Sequence, residues 1–249
     1  MNIEIVIPIL NEELTLKAQI EKLFTYLELN QYYGHSVTVT IANNGSRDKS
    51  CKIAEQLCKQ FCNLKYLEVG SIGVGKALKM AWSTSKADIV GFMDLDFATD
   101  LKHLEQSWNL IEKNNFDLVY GSRNTKSSLV ENRKISRNII SKVFNLIIKL
   151  IFKTNFSDGM CGFKFMRKDC VGTILSEGIG FDGWFFSTEI LIMAEILNLR
   201  IYELPIKWTD SPNSQVKVVT LTAIYLRDIV KLKIYLKTNF AKLNSFLLL

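Results

Sequence analysis

Two aspartates separated by one residue, Asp94 and Asp96, follow directly on an apolar run at residues 87–93. Carboxylates at this spacing can offer oxygen ligands from one turn to Mg²⁺ or Mn²⁺, cations that proteins commonly share with substrate phosphates. The alternative is a solvated loop in which Asp100 caps the next helix. Because the pair stands at the end of a run typical of a buried strand, the sequence favours a divalent metal site.

Other polar side chains occur in two later loops that could contact a sugar or its phosphates. Asp158 and Lys164 share one loop with two glycines, and Asp182, Trp184 and Glu189 follow further along the chain. The alternatives are an Asx turn for Asp158 and core packing for Trp184. Both loops are therefore candidate binding segments.

The glycine-rich segment at residues 70–77 nearly matches the GxxxxGK[ST] phosphate loop. Ala77 stands where that loop needs a hydroxyl for Mg²⁺, which disfavours an NTPase module and leaves it as an alternative. The first predicted strand is not followed by GxGxxG, which argues against a dinucleotide site. Gly73, Gly75 and Lys76 either contact a diphosphate or shape a tight turn.

Strands and helices alternate along the first half of the chain, which predicts a mostly parallel sheet flanked by helices. Because the carboxyl ends of parallel strands meet at one edge, the loops after strands one, two and four should lie together. The predicted strands are residues 3–8, 37–42, 64–69, 87–93 and 117–120, and the predicted helices are residues 11–29, 48–61, 73–84 and 101–113. Beyond residue 121 we predict helices at 135–152 and 184–197, a strand at 201–204, and one or two amphipathic helices at 218–248.

Positive charge is concentrated in two parts of the 249-residue chain. The net charge of +6 combines +6 at residues 126–153 and +5 at residues 217–249 with an acidic remainder. Both stretches are also rich in Ile, Leu and Phe, a combination that favours a membrane surface or a lipid phosphate over nucleic acid. A protein-partner surface, for example on a membrane protein, is the alternative.

Neither a membrane-spanning helix nor a disulfide framework is expected from the sequence. No run of 18 apolar residues occurs, and the first residues lack the basic region of a signal peptide. The five cysteines show neither CxxC spacing nor paired histidines, which argues against zinc and fits a reducing cytosol.

Eight segments, in this order, resemble the conserved blocks of inverting family 2 glycosyltransferases with the GT-A fold. The similarity is to polyprenyl-phosphate (dolichyl-phosphate) glucosyl- and mannosyltransferases, and it spans nearly the whole chain. The segments are IVIPILNEE (5–13), NNGSRDKS (43–50), VGKALKMAW (74–82), FMDLDFATD (92–100), VYGSRN with RKISRN (119–124 and 133–138), SDGMCGFKFM (157–166), GFDGWFFSTEIL (180–191) and ELPIKWTDSPNSQVK (203–217).

The resemblance implies a Rossmann-like GT-A catalytic domain at residues 1–215, followed by an amphipathic helical extension at 216–249 that lies at a membrane interface. It implies transfer of a hexose, with inversion, from a nucleoside-diphosphate sugar of the UDP-glucose or GDP-mannose type to a polyprenyl phosphate. Mg²⁺ or Mn²⁺ would be required. The enzyme would act as a peripheral protein on the cytoplasmic face of a membrane.

The resemblance also implies roles for individual residues. Asp94 and Asp96 would hold the metal beside the nucleotide diphosphate, Asp158 would lie near the transferred sugar, and Glu189 would support the site. The nucleotide sugar would contact Pro8, Asn11, Glu12, Asn43 and Lys76. The phosphates of donor and acceptor would be neutralised by Arg123, Arg133, Arg137 and Lys164, so that Asp96, Asp158, Arg123 and Arg137 form the catalytic set.

The sequence departs from the family pattern in two places. Asn43 replaces an aspartate that in the family accepts a hydrogen bond from the base, which leaves uracil and guanine both open. One glycine of the GKG segment is missing in VGK at residues 74–76.

Three other functions remain open. A glycosyltransferase acting on a saccharide or protein hydroxyl would need a general base, with Asp158 or Asp182 as candidates. A phosphate acceptor needs none, since it is already anionic near pH 7. The NTPase module and a non-catalytic membrane-associated subunit are the remaining alternatives.

Overall fold

The computed structural model describes residues 1–30, 35–210 and 218–246, which form nine strands and eight helices. The strands are β1 (Asn2–Ile9), β2 (Ser36–Asn43), β3 (Leu64–Glu68), β4 (Ile89–Met93), β5 (Leu118–Ser122), β6 (Leu129–Glu131), β7 (Phe163–Arg167), β8 (Ile201–Pro205) and β9 (Lys207–Thr209). The helices are α1 (Leu16–Asn30), α2 (Ser50–Gln60), α3 (Val74–Thr84), α4 (His103–Glu112), α5 (Ile135–Phe152), α6 (Lys168–Glu177), α7 (Phe186–Ile196) and α8 (Val218–Phe246).

Seven strands form one sheet in the order β3-β2-β1-β4-β7-β5-β8. All neighbours in this sheet are parallel except β7, which runs antiparallel to both β4 and β5. The prediction of a mostly parallel sheet flanked by helices is therefore confirmed.

Each face of the sheet packs against an apolar core, because side chains alternate between the faces along a strand. Ile5 and Ile7 of β1 belong to one core with Trp108, whereas Val6 belongs to the other with Trp82. A strand buried on both faces reads as a continuous apolar run, which is why β1 and β4 could be predicted.

Four elements were not predicted from the sequence: β6, β7, α6 and β9. The first helix was predicted to begin five residues too early, since α1 starts at Leu16 and Asn11 has a left-handed φ of 56°. The strand β7 has the largest consequence, because its antiparallel direction places the loop before it at the carboxyl end of β4. There the amide of Asp94 donates to the carbonyl of Gly162 over 3.1 Å.

The two-stranded sheet of β6 and β9 covers the loop that follows β4. Thr99 of this loop forms an antiparallel bridge with Trp208 of β9. The imidazole Nε2 of His103, in α4, accepts a hydrogen bond from the amide of Lys207 at 2.8 Å. These contacts fix β9 beside the Asp94–Asp96 turn.

The C-terminal amphipathic segment is a single helix, α8, over its described length. One side of it, with Tyr225, Ile229, Leu232 and Leu236, is buried in the core shared with α3 and α7. None of the described helices is long and apolar enough to cross a membrane. The predicted boundary at residues 215 and 216 lies outside the described residues and stays a prediction.

Candidate functional site

The turn after β4 presents the predicted carboxylate pair. Asp96 is exposed, and its Oδ1 accepts a hydrogen bond from the amide of Ala98 at 3.1 Å. Asp94 lies deeper, and its Oδ1 is buried with no hydrogen-bond partner among the described residues. Burial, together with the charge of Asp96, raises the pKa of Asp94 to about 7, although Arg123 and Lys164 oppose this shift.

The donor set fits a small divalent cation. A buried carboxylate oxygen without a donor is costly, and a hard cation with oxygen ligands would satisfy it. Within the described parts of the chain, no group of three or more His, Cys, Asp or Glu side chains is placed to hold a metal. Asp94 and Asp96 would therefore share the ion with oxygens of a bound phosphate group.

Gly162 provides the space that the Asp94 carboxylate occupies. A Cβ atom at position 162 would lie 2.0 Å from Oδ2 of Asp94. We expect Gly162→Ala to destabilise the fold by about 1–3 kcal/mol and to displace the carboxylate. The variant should bind Mn²⁺ more weakly in a titration followed by electron paramagnetic resonance, and it should melt at a lower temperature.

Gly172→Ala is the matched control for this prediction. Gly172 lies in α6 with nothing within 4 Å of an added Cβ, so the helix should gain about 0.5–1 kcal/mol. Wild-type Mn²⁺ affinity in Gly162→Ala would show that Asp94 is not a ligand.

Asp158 and Arg123 form a buried ion pair beside the carboxylate turn. The Nε of Arg123 donates to Oδ2 of Asp158 at 2.7 Å, and a terminal nitrogen donates to Oδ1 at 2.8 Å. The guanidinium also lies over the Trp208 ring, 4.7 Å from its centroid. Burial alone would raise the pKa of Asp158, but the charge and hydrogen bonds of Arg123 outweigh it and lower that pKa.

Lys164 is fully buried, and its ammonium group is hydrogen-bonded inside the protein. Its Nζ donates to the carbonyls of Gly159 and Cys161 and to the hydroxyl of Ser187, at 3.2, 2.7 and 2.7 Å. Burial lowers the pKa of Lys164 to about 8, against the opposing charges of Asp158 and Asp94. Lys164 is thus held by two carbonyls and a hydroxyl, and Arg123 by the carboxylate of Asp158. The phosphate contacts predicted for both side chains stay predictions.

Arg133 and Arg137 lie closer to solvent than Arg123 and Lys164. Arg137 pairs with Asp210 at 2.9 Å, and both charges act on Asp96. The half-buried Arg133 has an Nε without a hydrogen-bond partner in the described part of the chain. Burial and the neighbouring guanidinium groups lower the pKa of Arg133. Such a group gains from an anion, so Arg133 is the best-placed candidate for a phosphate contact.

The loops after β1 and β2 are joined by hydrogen bonds, as the common edge predicted. The amide of Asn11 donates to Oγ of Ser46 at 2.9 Å, and the Asn11 carbonyl Oδ1 accepts from the amide of Arg47 at 2.8 Å. The amide of Glu12 donates to Oγ of Ser50 at 2.8 Å. Pro8 is half-buried within β1. These residues shape the edge of the predicted nucleotide site.

Asn43 is buried, and its side chain is fully engaged within the protein. Its Nδ2 contacts Cys51, Tyr66 and Glu68 at 2.9, 3.0 and 2.8 Å, and its Oδ1 accepts from the amide of Ser46. The predicted contact of Asn43 with the nucleotide stays a prediction, although the burial of this side chain disfavours it.

The glycine-rich segment packs its backbone against the loop before α7. A Cβ at Gly75 would lie 2.1 Å from the carbonyl oxygen of Phe181, and one at Gly73 would lie 2.7 Å from that of Asp182. Both glycines are therefore needed for this close approach of the two backbones. Lys76 is half-exposed, and its Nζ donates to Oγ of Ser71 at 2.6 Å.

Glu189 organises the loop that these glycines contact. Its buried carboxylate accepts hydrogen bonds from the backbone amides of Ile179, Gly180 and Phe181 at 2.7–3.0 Å. This geometry agrees with the predicted supporting role. The core-packing alternative for Trp184 is wrong, since 40% of that residue is exposed.

Two residues that were not predicted from the sequence, Trp208 and Asp210, complete the site. They stack on Arg123 and pair with Arg137, respectively. Both lie in the segment 203–217 that resembles a family block, which was the available signal.

The family model described as glycosyl transferase family 2 matches residues 4–175. The glycosyltransferase AglD of Haloferax volcanii is 26% identical over 224 residues, which cover 88% of this chain and 35% of that protein. The dolichyl-phosphate beta-glucosyltransferase of Dictyostelium discoideum is 25% identical over 253 residues, covering 98% of this chain and 77% of the relative. The human protein of the same name is 25% identical over 224 residues, with coverages of 86% and 69%. The chain thus spans about a third of AglD and about three quarters of the Dictyostelium relative.

Solved structures show the same fold. Glucosyl-3-phosphoglycerate synthase from Mycobacterium tuberculosis, in complex with Mn²⁺, UDP and glucosyl-3-phosphoglycerate, superposes with a TM-score of 0.65 at 15% identity. The similarity covers 92% of this chain and 77% of that one. TarS from S. aureus superposes with a TM-score of 0.58 at 18% identity, with coverages of 90% and 65%.

Proposed function

This chain belongs to glycosyl transferase family 2, and we propose that it moves a hexose from a nucleoside-diphosphate sugar to a dolichyl-type polyprenyl phosphate, with inversion at the anomeric carbon. The relatives named dolichyl-phosphate beta-glucosyltransferase support the acceptor class. We place the reaction at a membrane surface, on the cytoplasmic face.

One observation carries the proposal: a carboxylate pair and a set of arginines meet at the carboxyl end of β4. The charges of Arg137 and Asp210 act on Asp96, and the charge of Arg123 acts on Asp94. Negative side chains suited to a metal thus lie beside positive ones suited to a phosphate. A reaction between two phosphate-bearing substrates needs both.

The chemistry follows from this arrangement. When bound, Mg²⁺ or Mn²⁺ at Asp94 and Asp96 would stabilise negative charge on the departing diphosphate. Arg133 and Arg137 would hold the acceptor phosphate, whose ionised oxygen forms a bond to the anomeric carbon as the bond to the diphosphate breaks. Attack from the side opposite the leaving group inverts that carbon. The buried pair of Arg123 and Asp158 would shape the pocket for the sugar.

A hydroxyl acceptor is disfavoured by the state of the two candidate bases. Both oxygens of Asp158 are bound to Arg123, and the pKa of this carboxyl is lowered, so it is a poor proton acceptor. Asp182 is exposed and pairs with Lys79 at 2.8 Å. A lipid phosphate needs no base, which matches these residues.

The outer face of α5 supports contact with a membrane. A row of exposed apolar side chains runs along this helix, and α5 packs on α8, whose outer side is also apolar. Exposed lysines flank the row, so we propose that the face binds anionic phospholipid. The exposed apolar residues are Ile135, Ile139, Ile140, Val143, Leu146 and Leu150 on α5 and Leu226, Val230 and Ile234 on α8. The flanking lysines are Lys134, Lys142, Lys149 and Lys153.

The donor and acceptor are tested together by release of nucleoside diphosphate. UDP- and GDP-sugars are supplied with Mn²⁺ or Mg²⁺, with and without a polyprenyl phosphate in detergent. We expect release from one donor class that requires both the metal and the lipid phosphate. Nucleoside diphosphate release that is equal with and without the lipid phosphate, or the absence of release from every donor, would contradict the proposal.

The membrane face is tested by flotation with lipid vesicles. We expect the protein to float with vesicles that contain phosphatidylserine and to remain behind with neutral phosphatidylcholine vesicles. High salt should weaken the association, because exposed charges are screened. Equal flotation with both kinds of vesicle would argue against the binding of anionic phospholipid by the basic face.

A further inference from the structure

Glu68 stands at the carboxyl end of β3, one of the two edge strands of the sheet, and is exposed. Its Oε2 accepts hydrogen bonds from Nδ2 of Asn43 and from the hydroxyl of Tyr66. Its Oε1 accepts the amide of Gly70 at 3.2 Å. Although burial opposes it, the hydrogen bond from Tyr66 leads the contributions that lower the pKa of Glu68. The carboxylate is therefore rigidly held and ionised.

The strand order of the sheet places Glu68 on the side of β4 opposite the arginines, where the donor nucleoside would lie. The metal candidates follow β4, and Arg123 follows β5, which lies on the β7 side of β4. The other side holds β1, β2 and β3, which all end at the same edge as β4 because the four strands are parallel. Three strand spacings, about 14 Å, separate β4 from β3. An extended nucleoside diphosphate with its phosphates at β4 reaches across this distance.

Among the polar groups at the ends of β2 and β3, Glu68 retains a free acceptor position. Asn43 is fully buried and presents no acceptor at the surface, and the hydroxyl of Tyr66 both donates to Glu68 and accepts from Asn43. Each carboxylate oxygen has two acceptor positions. Oε2 is saturated by Asn43 and Tyr66, whereas Oε1 has one donor, the amide of Gly70, and one position left.

We infer that Glu68, rather than the buried Asn43, determines donor specificity by accepting a ring N–H of the nucleobase at Oε1. A single open position matches the edge of uracil, which has one N–H between two carbonyls. Guanine presents two adjacent N–H groups and would need two acceptors. This inference rests on the proposed function, since it requires a nucleoside-diphosphate donor.

The test compares the wild type, Glu68→Gln and the matched control Glu55→Gln, an exposed glutamate on α2. Isothermal titration measures the binding of UDP, GDP and inorganic pyrophosphate, each with Mn²⁺. We expect the wild type to prefer UDP, and Glu68→Gln to weaken UDP binding by about ten- to a hundredfold, the loss expected for a charged hydrogen bond. Pyrophosphate, which lacks a base, should bind the variant as it binds the wild type. Glu55→Gln should change neither.

A second variant guards against a structural effect of glutamine. Glu68→Asp keeps the charge but withdraws the carboxylate by one methylene, and it should also weaken UDP and spare pyrophosphate. Unchanged UDP binding, equal losses for UDP and pyrophosphate, or a wild-type preference for GDP would overturn the inference while leaving the proposed function intact. A wild-type protein that binds neither nucleotide would contradict the proposed function itself.

Discussion

An Asp96→Ala variant is expected to lose at least about a thousandfold in the rate of sugar transfer, because it removes a proposed metal ligand at the departing diphosphate. A metal ion supplies several kcal/mol of charge stabilisation, and each 1.36 kcal/mol is a factor of ten in rate. The fold should survive, since Asp96 is exposed and its carboxylate accepts a hydrogen bond from the nearby amide of Ala98. That bond is worth about 0.5–1.5 kcal/mol.

Asp100→Ala is the matched control for Asp96→Ala. Asp100 lies in the same loop, accepts the amide of Lys102 at 3.0 Å and should cost a similar amount of stability. It should keep transfer near the wild-type rate. The measurement compares the initial transfer rates and melting temperatures of the wild type, Asp96→Ala and Asp100→Ala. Near-wild-type turnover by Asp96→Ala, with the metal still required, would refute the assignment.

The second large effect is expected on stability, from Asp158→Ala. Removing this carboxylate leaves the Arg123 charge buried and uncompensated, which costs about 3–5 kcal/mol. At 2–4 °C per kcal/mol for a chain of this size, the melting temperature should fall by roughly 6–20 °C. Replacing both partners, in Arg123→Met with Asp158→Leu, should cost less than Asp158→Ala alone, because no unpaired charge remains.

Thermal unfolding of the single and double variants tests the ion pair. Asp182→Ala, which breaks an exposed ion pair with Lys79, should change the stability by no more than about 1 kcal/mol. Since the folded-state pKa of Asp158 is lowered, the pair stabilises the fold above pH ~4, and this contribution is lost as the pH falls through the folded pKa. The difference between wild type and Asp158→Ala should shrink accordingly in acid. A double variant less stable than Asp158→Ala would contradict this account.

The fold was predictable where one physical signal dominated. Apolar runs of strand length identified the parallel strands β1 to β5, and the apolar period of α5 gave its bounds, Ile135–Phe152. The strand β7 was missed because Lys164 and Arg167 interrupt its apolar pattern. Lys164 is buried there only because Ser187 and two carbonyls surround it in the folded protein, and no local pattern reveals these partners.

The candidate site was predictable in its residues more than in their contacts. Asp94 and Asp96 stand where the strand-end argument placed them, and their metal-binding role stays a prediction. The side-chain orientations of Arg123 and Lys164 depend on Asp158 and on packing from segments distant in sequence. The sequence alone therefore could not show whether these cations point into the protein or toward an acceptor phosphate. The role of Asn43 likewise depends on Glu68, which faces it only through the register of β2 and β3.

The antiparallel strand β7 also constrains the order in which the chain can fold during synthesis. β4 is buried along its whole length in the finished sheet, yet its partner on one edge emerges from the ribosome about seventy residues later. Until then the nascent chain exposes an unpaired apolar edge, the kind of surface that other chains can pair with. The half of the sheet that would hold the nucleotide can thus assemble early, whereas the acceptor half closes late, and aggregation during expression should concentrate in that interval.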